Sequence, residues 1–140
     1  MKVFIDTNVL VAALGTRGLC SDLMREVLEN RQLVSSHGIL TELRRILLKK
    51  FKLPSSETEA VIELLTAISQ MAEPDATASL PIQDPDDIPH LSAAQIAQCK
   101  VFITGDKELW PLSPLGAMLV ISPKDFWRMI RKQPGSNKNR

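Results

Sequence analysis

Val3-Phe4-Ile5-Asp6-Thr7-Asn8, read against Val101-Phe102-Ile103-Thr104-Gly105-Asp106, decides the fold of this chain. Each stretch opens with a short apolar triplet that shows no polar alternation, the pattern of a strand covered on both faces. Each triplet is followed within three residues by an aspartate. Short apolar strands alternating with helical patterns predict an α/β protein: a parallel sheet with helices on both faces, joined by right-handed crossovers.

The helices fill the space between the triplets. Ser21 is placed to cap one through about Asn30, because Leu23, Met24, Val27 and Leu28 recur at helical spacing, and Leu33-Val34 reads as a second strand. Ser35 or Ser36 starts the next helix, whose stripe of Ile39, Leu40, Leu43, Ile46 and Leu47 leaves Arg44, Arg45, Lys49 and Lys50 largely outside it. Pro54 and Ser55-Ser56 break that helix. Another, carrying Val61, Ile62, Leu64, Leu65 and Ile68, is expected to run to about Met71, and the polar segment from Glu73 to Asp87 reads as mostly loop. Pro89 suits the first turn of a helix reaching Cys99, Met118 to Ile121 reads as a strand, and a last helix spans Pro123 to about Arg131.

A length of 140 residues matches one domain, assigned here to 1–131, with 132–140 expected to be a disordered basic tail. The formal net charge is +1, from 17 basic and 16 acidic residues, so any nucleic-acid surface must arise from local clustering. Cys20 and Cys99 are far apart, without CxxC spacing, and no N-terminal targeting signal precedes them. That combination fits buried thiols in a reducing cytoplasm. No apolar run approaches the roughly 20 residues of a membrane-spanning helix.

Asp6 and Asp106 follow strands whose carboxyl ends point the same way in a parallel sheet, and ligands of open α/β sheets bind outside those ends. The two aspartates converge if the strands are neighbours, with Gly105 supporting a sharp turn beside Asp106. Glu42 borders the apolar stripe of its helix and can point along the sheet into the same crevice. Asp84, Asp86 and Asp87 precede the helix near Pro89, and Asp87 is favoured among them because it sits beside the positive end of that helix. Taken singly, each acid is as well read as a turn, cap or solvated residue. Together, carboxylates gathered without cysteine or paired histidine repel unless a cation bridges them, and such oxygen-rich sets suit Mg²⁺ or Mn²⁺. A hard cation there would serve phosphodiester hydrolysis, with Thr7, Asn8 and Thr104 orienting ligands or water.

Ile5-Asp6-Thr7-Asn8-Val9, Ser36 to Leu43 with Glu42, Asp84-Pro85-Asp86-Asp87, and Thr104-Gly105-Asp106-Lys107-Glu108-Leu109 together resemble a PIN-domain nuclease over roughly residues 2 to 130. The toxin branch of bacterial toxin–antitoxin systems, the VapC-like proteins, is the nearest likeness. The resemblance implies a three-layer α/β/α fold, Mg²⁺ or Mn²⁺, endonuclease action on RNA, an antitoxin partner and a homo-oligomer, most simply a dimer. It carries the roles of catalytic acid and metal ligand onto Asp6, Glu42, Asp87 and Asp106. Ile88 departs from several relatives, which have an acid or amide there, and Pro89 is unusual beside it.

Arg17, in an expected loop, and Lys107, beside Asp106, are candidates for substrate contact; the basic helix face and tail are otherwise read as solvated. His37 and His90 are isolated in sequence and receive no role. Trp110 and Trp127 are read as packing residues. An aspartyl-nucleophile phosphatase would want an aspartate where this chain has Asn8, which argues against that class. A non-catalytic PIN-like module that binds RNA or protein remains the alternative.

Overall fold

The two apolar triplets are adjacent parallel strands in a computed structural model, which describes residues 1–76, 78, 80 and 85–132. The chain order is β1 (Lys2–Ile5), α1 (Thr7–Gly15), α2 (Leu19–Asn30), β2 (Gln32–Ser35), α3 (His37–Lys49), α4 (Ser55–Ile68), β3 (Gln70–Met71), α5 (Ile88–Ile96), β4 (Val101–Ile103), β5 (Leu119–Ile121) and α6 (Pro123–Lys132). Among the described residues the strands form one all-parallel sheet in the order β3-β2-β1-β4-β5. Helices flank it in the expected three-layer α/β/α arrangement. Val3, Phe4 and Ile5 pair in register with Val101, Phe102 and Ile103. All six are essentially inaccessible to solvent, and the rings of Phe4 and Phe102 stack 5.2 Å apart. A triplet buried on both faces must be apolar throughout, which is why neither shows alternation.

The structure departs from the sequence expectation in four places. Thr7–Gly15 is a helix that no amphipathic stripe announces, because Thr7-Asn8-Val9-Leu10-Val11-Ala12-Ala13-Leu14 is apolar almost all round. Helix α2 begins at Leu19, before Ser21, and Gly18 precedes it at φ 146°, a conformation that suits glycine. Helix α4 stops at Ile68, and Gln70–Met71 leaves it to pair with Val34 and Ser35 as a two-residue edge strand. Finally, α5 closes at Ile96, where Gln98 takes a left-handed φ of 62° and Cys99 N–H turns back to the Ala94 carbonyl. The tail expected to be disordered lies outside the described residues except for Lys132, which ends α6.

Helix α3 starts where expected, at a Ser36 whose hydroxyl accepts from Ile39 N–H at 3.2 Å. Arg44 holds Glu59 of α4 through two hydrogen bonds of 2.8 and 3.2 Å, so part of the basic α3 face is an interhelical clamp.

Candidate active site

Asp6 is the first residue beyond β1, and three features of the chain lock it there. Its N–H continues the sheet by donating to the Ile103 carbonyl at 2.9 Å. Its Oδ1 accepts from Thr7 N–H at 2.9 Å, which makes it the N-cap of α1. Its Oδ2 accepts from the Thr104 hydroxyl at 2.8 Å and from Asn8 Nδ2 at 3.2 Å. The side chain is thus fixed at the carboxyl edge of the central strand with only 4% of the residue exposed.

Thr104 is fully buried and joins the two acid-bearing strand ends. Besides donating to Asp6, its hydroxyl accepts from Asp106 N–H at 3.0 Å, while its carbonyl accepts from Trp110 Nε1 at 2.9 Å. Trp110 therefore anchors the loop as well as packing. Asp106 is half-buried, and its Oδ1 accepts from Glu108 N–H at 2.9 Å, which closes the turn. Asn8 bridges the loops from the other side, its Oδ1 accepting from Gly105 N–H at 2.9 Å. A Cβ at position 105 would come within 3.2 Å of that same oxygen. Close approach of Asn8, and not an unusual turn conformation, is what asks for glycine there.

Glu42 projects from α3 beside His90 of α5, with Glu42 Oε2 and His90 Nε2 3.3 Å apart. His90 is buried, and its Nδ1 has no hydrogen-bond partner among the described residues. Sequence reasoning gave this histidine no role. The signal available was its spacing from Asp87, three residues along the same helix start.

Asp87 is the residue on which α5 begins, with Ile88 and Pro89 as its first helical residues. It lies at the positive end of the helix, as the position of Pro89 suggested, and its side chain makes no capping bond to the helix. Asp86 is exposed in the short turn Pro85–Asp87, and Asp84 lies outside the described residues. Thr7 contributes its backbone N–H to Asp6, while its buried hydroxyl has no partner among the described residues. Lys107 is exposed next to Asp106. Arg17 sits past the far end of α1, roughly 14 Å of helix rise from Asp6, and is not brought to this edge. His37 is on the surface, 3.4 Å from Glu73.

Burial holds the Asp6 carboxyl above the usual carboxylate range. The Thr104 hydroxyl, Thr7 N–H and His90 pull it back down, and the negative charge of Glu42 pushes it up. Asp6, His90 and Glu42 therefore share one electrostatic neighbourhood. A divalent cation fits its chemistry, since it would relieve a desolvated carboxylate and its acidic neighbour with oxygen donors of the kind that hard cations take. Among the described residues, however, no three of the Asp, Glu, His and Cys side chains already stand as a cation cage.

The sequence pattern of the PIN domain matches residues 2–108. Among curated proteins, no relative matches the chain. Solved structures resemble it in fold at low identity. VapBC2 from Rickettsia felis, bound to a DNA fragment from its promoter, aligns with a TM-score of 0.64 at 12% identity, over 87% of this chain and 98% of that one. VapBC-1 from nontypeable Haemophilus influenzae aligns with a TM-score of 0.61 at 17% identity, over 89% and 99% of the two chains. FitAcB from Neisseria gonorrhoeae aligns with a TM-score of 0.53 at 14% identity, over 87% and 98%. The match takes in Asp6, Glu42, Asp87 and Asp106 together with both strands that end at an aspartate, and on that match the chain belongs to the PIN domain family.

Proposed function

We propose that this chain is a metal-dependent endoribonuclease, the toxin of a toxin–antitoxin pair working in the cytoplasm, with Asp6, Glu42, Asp87 and Asp106 as its acids. The observation that carries the reading is Asp6 itself: a carboxylate buried at the carboxyl end of the central strand, hydrogen-bonded on both oxygens and held above its usual range. Such strained titratable groups cluster where chemistry is done. Mg²⁺ or Mn²⁺ bound by these acids would supply the activated water and the charge that a phosphodiester needs. Asp6 gives a fixed carboxylate, while Glu42, Asp87 and Asp106 supply side chains around it from α3, the start of α5 and the loop after β4. Thr7, Asn8 and Thr104 hold the Asp6 carboxylate in one orientation, and Lys107 is positioned to meet phosphate beside Asp106.

An antitoxin partner follows from the resemblance to VapC-like toxins and from the fold shared with VapBC2 and VapBC-1. A mostly apolar groove of about 370 Å³ between α1, α3 and α4, lined by Val11, Leu14, Leu47, Phe51, Leu53 and Val61 with Glu57 at its side, is offered as a surface for that partner. Leu14 and Phe51 are solvent-exposed there. Both cysteines are free, and among the described residues no helix is long and apolar enough to cross a membrane, which suits the proposed compartment. The chain is also proposed to self-associate as a dimer.

The deciding experiment is incubation of the purified chain with labelled single-stranded RNA in Mg²⁺ or Mn²⁺, with and without chelator. Cleavage that disappears with chelator supports the reading. RNA binding without cleavage in either metal would replace it with the non-catalytic PIN-like module.

A further inference from the structure

His90 is an expensive residue to place where it is. It lies on the buried face of α5 beside Leu91, Ala93 and Ala94, and only 7% of it is exposed. One ring nitrogen, Nδ1, has no hydrogen-bond partner among the described residues. A buried polar group left unpaired costs free energy that leucine or phenylalanine in the same space would not. Packing alone therefore does not account for an imidazole at this position.

The other nitrogen accounts for it. Nε2 faces Glu42 Oε2 at 3.3 Å, and the contact joins α5 to α3 across the edge where Asp6 sits. The ring is confined on its far side by the start of α3, since a Cβ at Gly38 would lie 3.5 Å from its Cε1 and 3.8 Å from its Nδ1. Glycine leaves room for the imidazole, and a side chain longer than alanine would displace it. Glu42 has the opposite character: its side chain is 38% exposed, long and rotatable, and the ring nitrogen is the hydrogen-bonding group that meets its carboxylate. A rigid donor thus meets a mobile acceptor. His90 and Glu42 also both act electrostatically on the Asp6 carboxyl, so the pair lies in its neighbourhood.

We infer that His90 is a positioning residue, holding the Glu42 carboxylate at the carboxyl edge of the sheet, in the electrostatic neighbourhood of Asp6, before any cation or RNA arrives. The inference rests on the reading of Glu42 as a metal-binding acid. Outer groups that orient a metal-binding carboxylate act on affinity without touching the ion, and losing one weakens binding by roughly tenfold or more.

Five full-length proteins test this: wild type, His90→Leu, His90→Gln, Glu42→Gln and the His90→Leu/Glu42→Gln double variant that closes the cycle. His90→Leu removes the donor and keeps the volume, so its melting temperature is expected to equal or exceed that of wild type. Its Mn²⁺ affinity by calorimetry is expected to fall roughly tenfold. His90→Gln retains an N–H donor and should recover most of that affinity. In the Glu42→Gln background, His90→Leu should have no further effect. A role confined to structure would instead lower stability and affinity together, with no rescue by glutamine. Side-chain NMR of the metal-free chain supplies a readout independent of any metal, with Glu42 held in one rotamer in wild type and His90→Gln and averaged in His90→Leu. Rotamer averaging in wild type, or unchanged Mn²⁺ affinity in His90→Leu, overturns the positioning role. If wild-type Glu42 is held but no Mn²⁺ binds, the reading of the acids as a metal site fails, and the role inferred from it fails too.

Discussion

Thr104 Oγ donates to Asp6 Oδ2 at 2.8 Å across 98 positions of sequence, and the same oxygen accepts from Asp106 N–H. One hydroxyl thereby sets the relation between the two aspartates that end neighbouring strands. A water in its place would be free to leave, whereas a threonine fully buried at the end of β4 is not.

Replacing that threonine tests its part in the site. Thr104→Val keeps the shape and deletes the hydroxyl, removing a hydrogen bond to a buried carboxylate worth about 2 kcal/mol. The midpoint of urea unfolding should fall accordingly. Asp6, relieved of its strongest favourable contact, should titrate higher still.

Asp6→Asn keeps the cap on α1 and removes the charge. RNA cleavage in Mg²⁺ or Mn²⁺ is expected to fall by roughly a hundredfold or more, with the far-ultraviolet circular dichroism unchanged. Equal rates at equal folded content would show that the chemistry lies elsewhere.

The same variant has a distinctive pH dependence in chelator. Because burial raises the Asp6 carboxyl above its ordinary 3.8, its contribution to stability is complete below that value and is lost as pH rises through the higher folded-state value. Asparagine carries no such loss. The melting temperature of Asp6→Asn should therefore gain on wild type as pH rises above the ordinary 3.8, and Mn²⁺ should narrow the gap by stabilising wild type alone. A difference that does not change with pH would show that Asp6 is not strained in the folded chain.

Asp87→Asn should weaken Mn²⁺ binding and cleavage severely, and Asp86→Asn and Asp84→Asn mildly, because Asp87 is held at the start of α5 while Asp86 is exposed in the preceding turn. Calorimetry beside a cleavage assay ranks the three. Should Asp86→Asn prove the damaging change, the loop must present its acids in another order.

Light scattering at micromolar concentration and near-physiological salt should report twice the chain mass. A strictly monomeric mass would remove the dimer from the proposal.

What the residues revealed in advance depended on how strongly each environment constrains composition. Val3-Phe4-Ile5 and Val101-Phe102-Ile103 are covered on both faces, which leaves no polar choice, so both strands and the aspartates after them were readable. Thr7–Gly15 was not, because a helix apolar on nearly every side shows no stripe, and its cap is the very residue assigned to the site. Gln70–Met71 is too short to carry a period. Gly105 was read as supporting a sharp turn, whereas the glycine is asked for by close approach of Asn8, 97 residues distant in sequence. His90 shows the limit most clearly: its partner Glu42 lies 48 positions away on another helix, and an isolated histidine gives no hint of one.

The parallel pairing of β1 with β4 has a consequence for the order of synthesis. Asp6 and Glu42 leave the ribosome early, but the strand and hydroxyl that fix Asp6 arrive only with Val101–Ile103 and Thr104, and His90 shortly before them. Contacts this distant in sequence close slowly and cannot form on a partial chain. A nascent chain therefore carries Asp6 and Glu42 through most of the synthesis of residues 1–104 before the contacts that fix either acid can form.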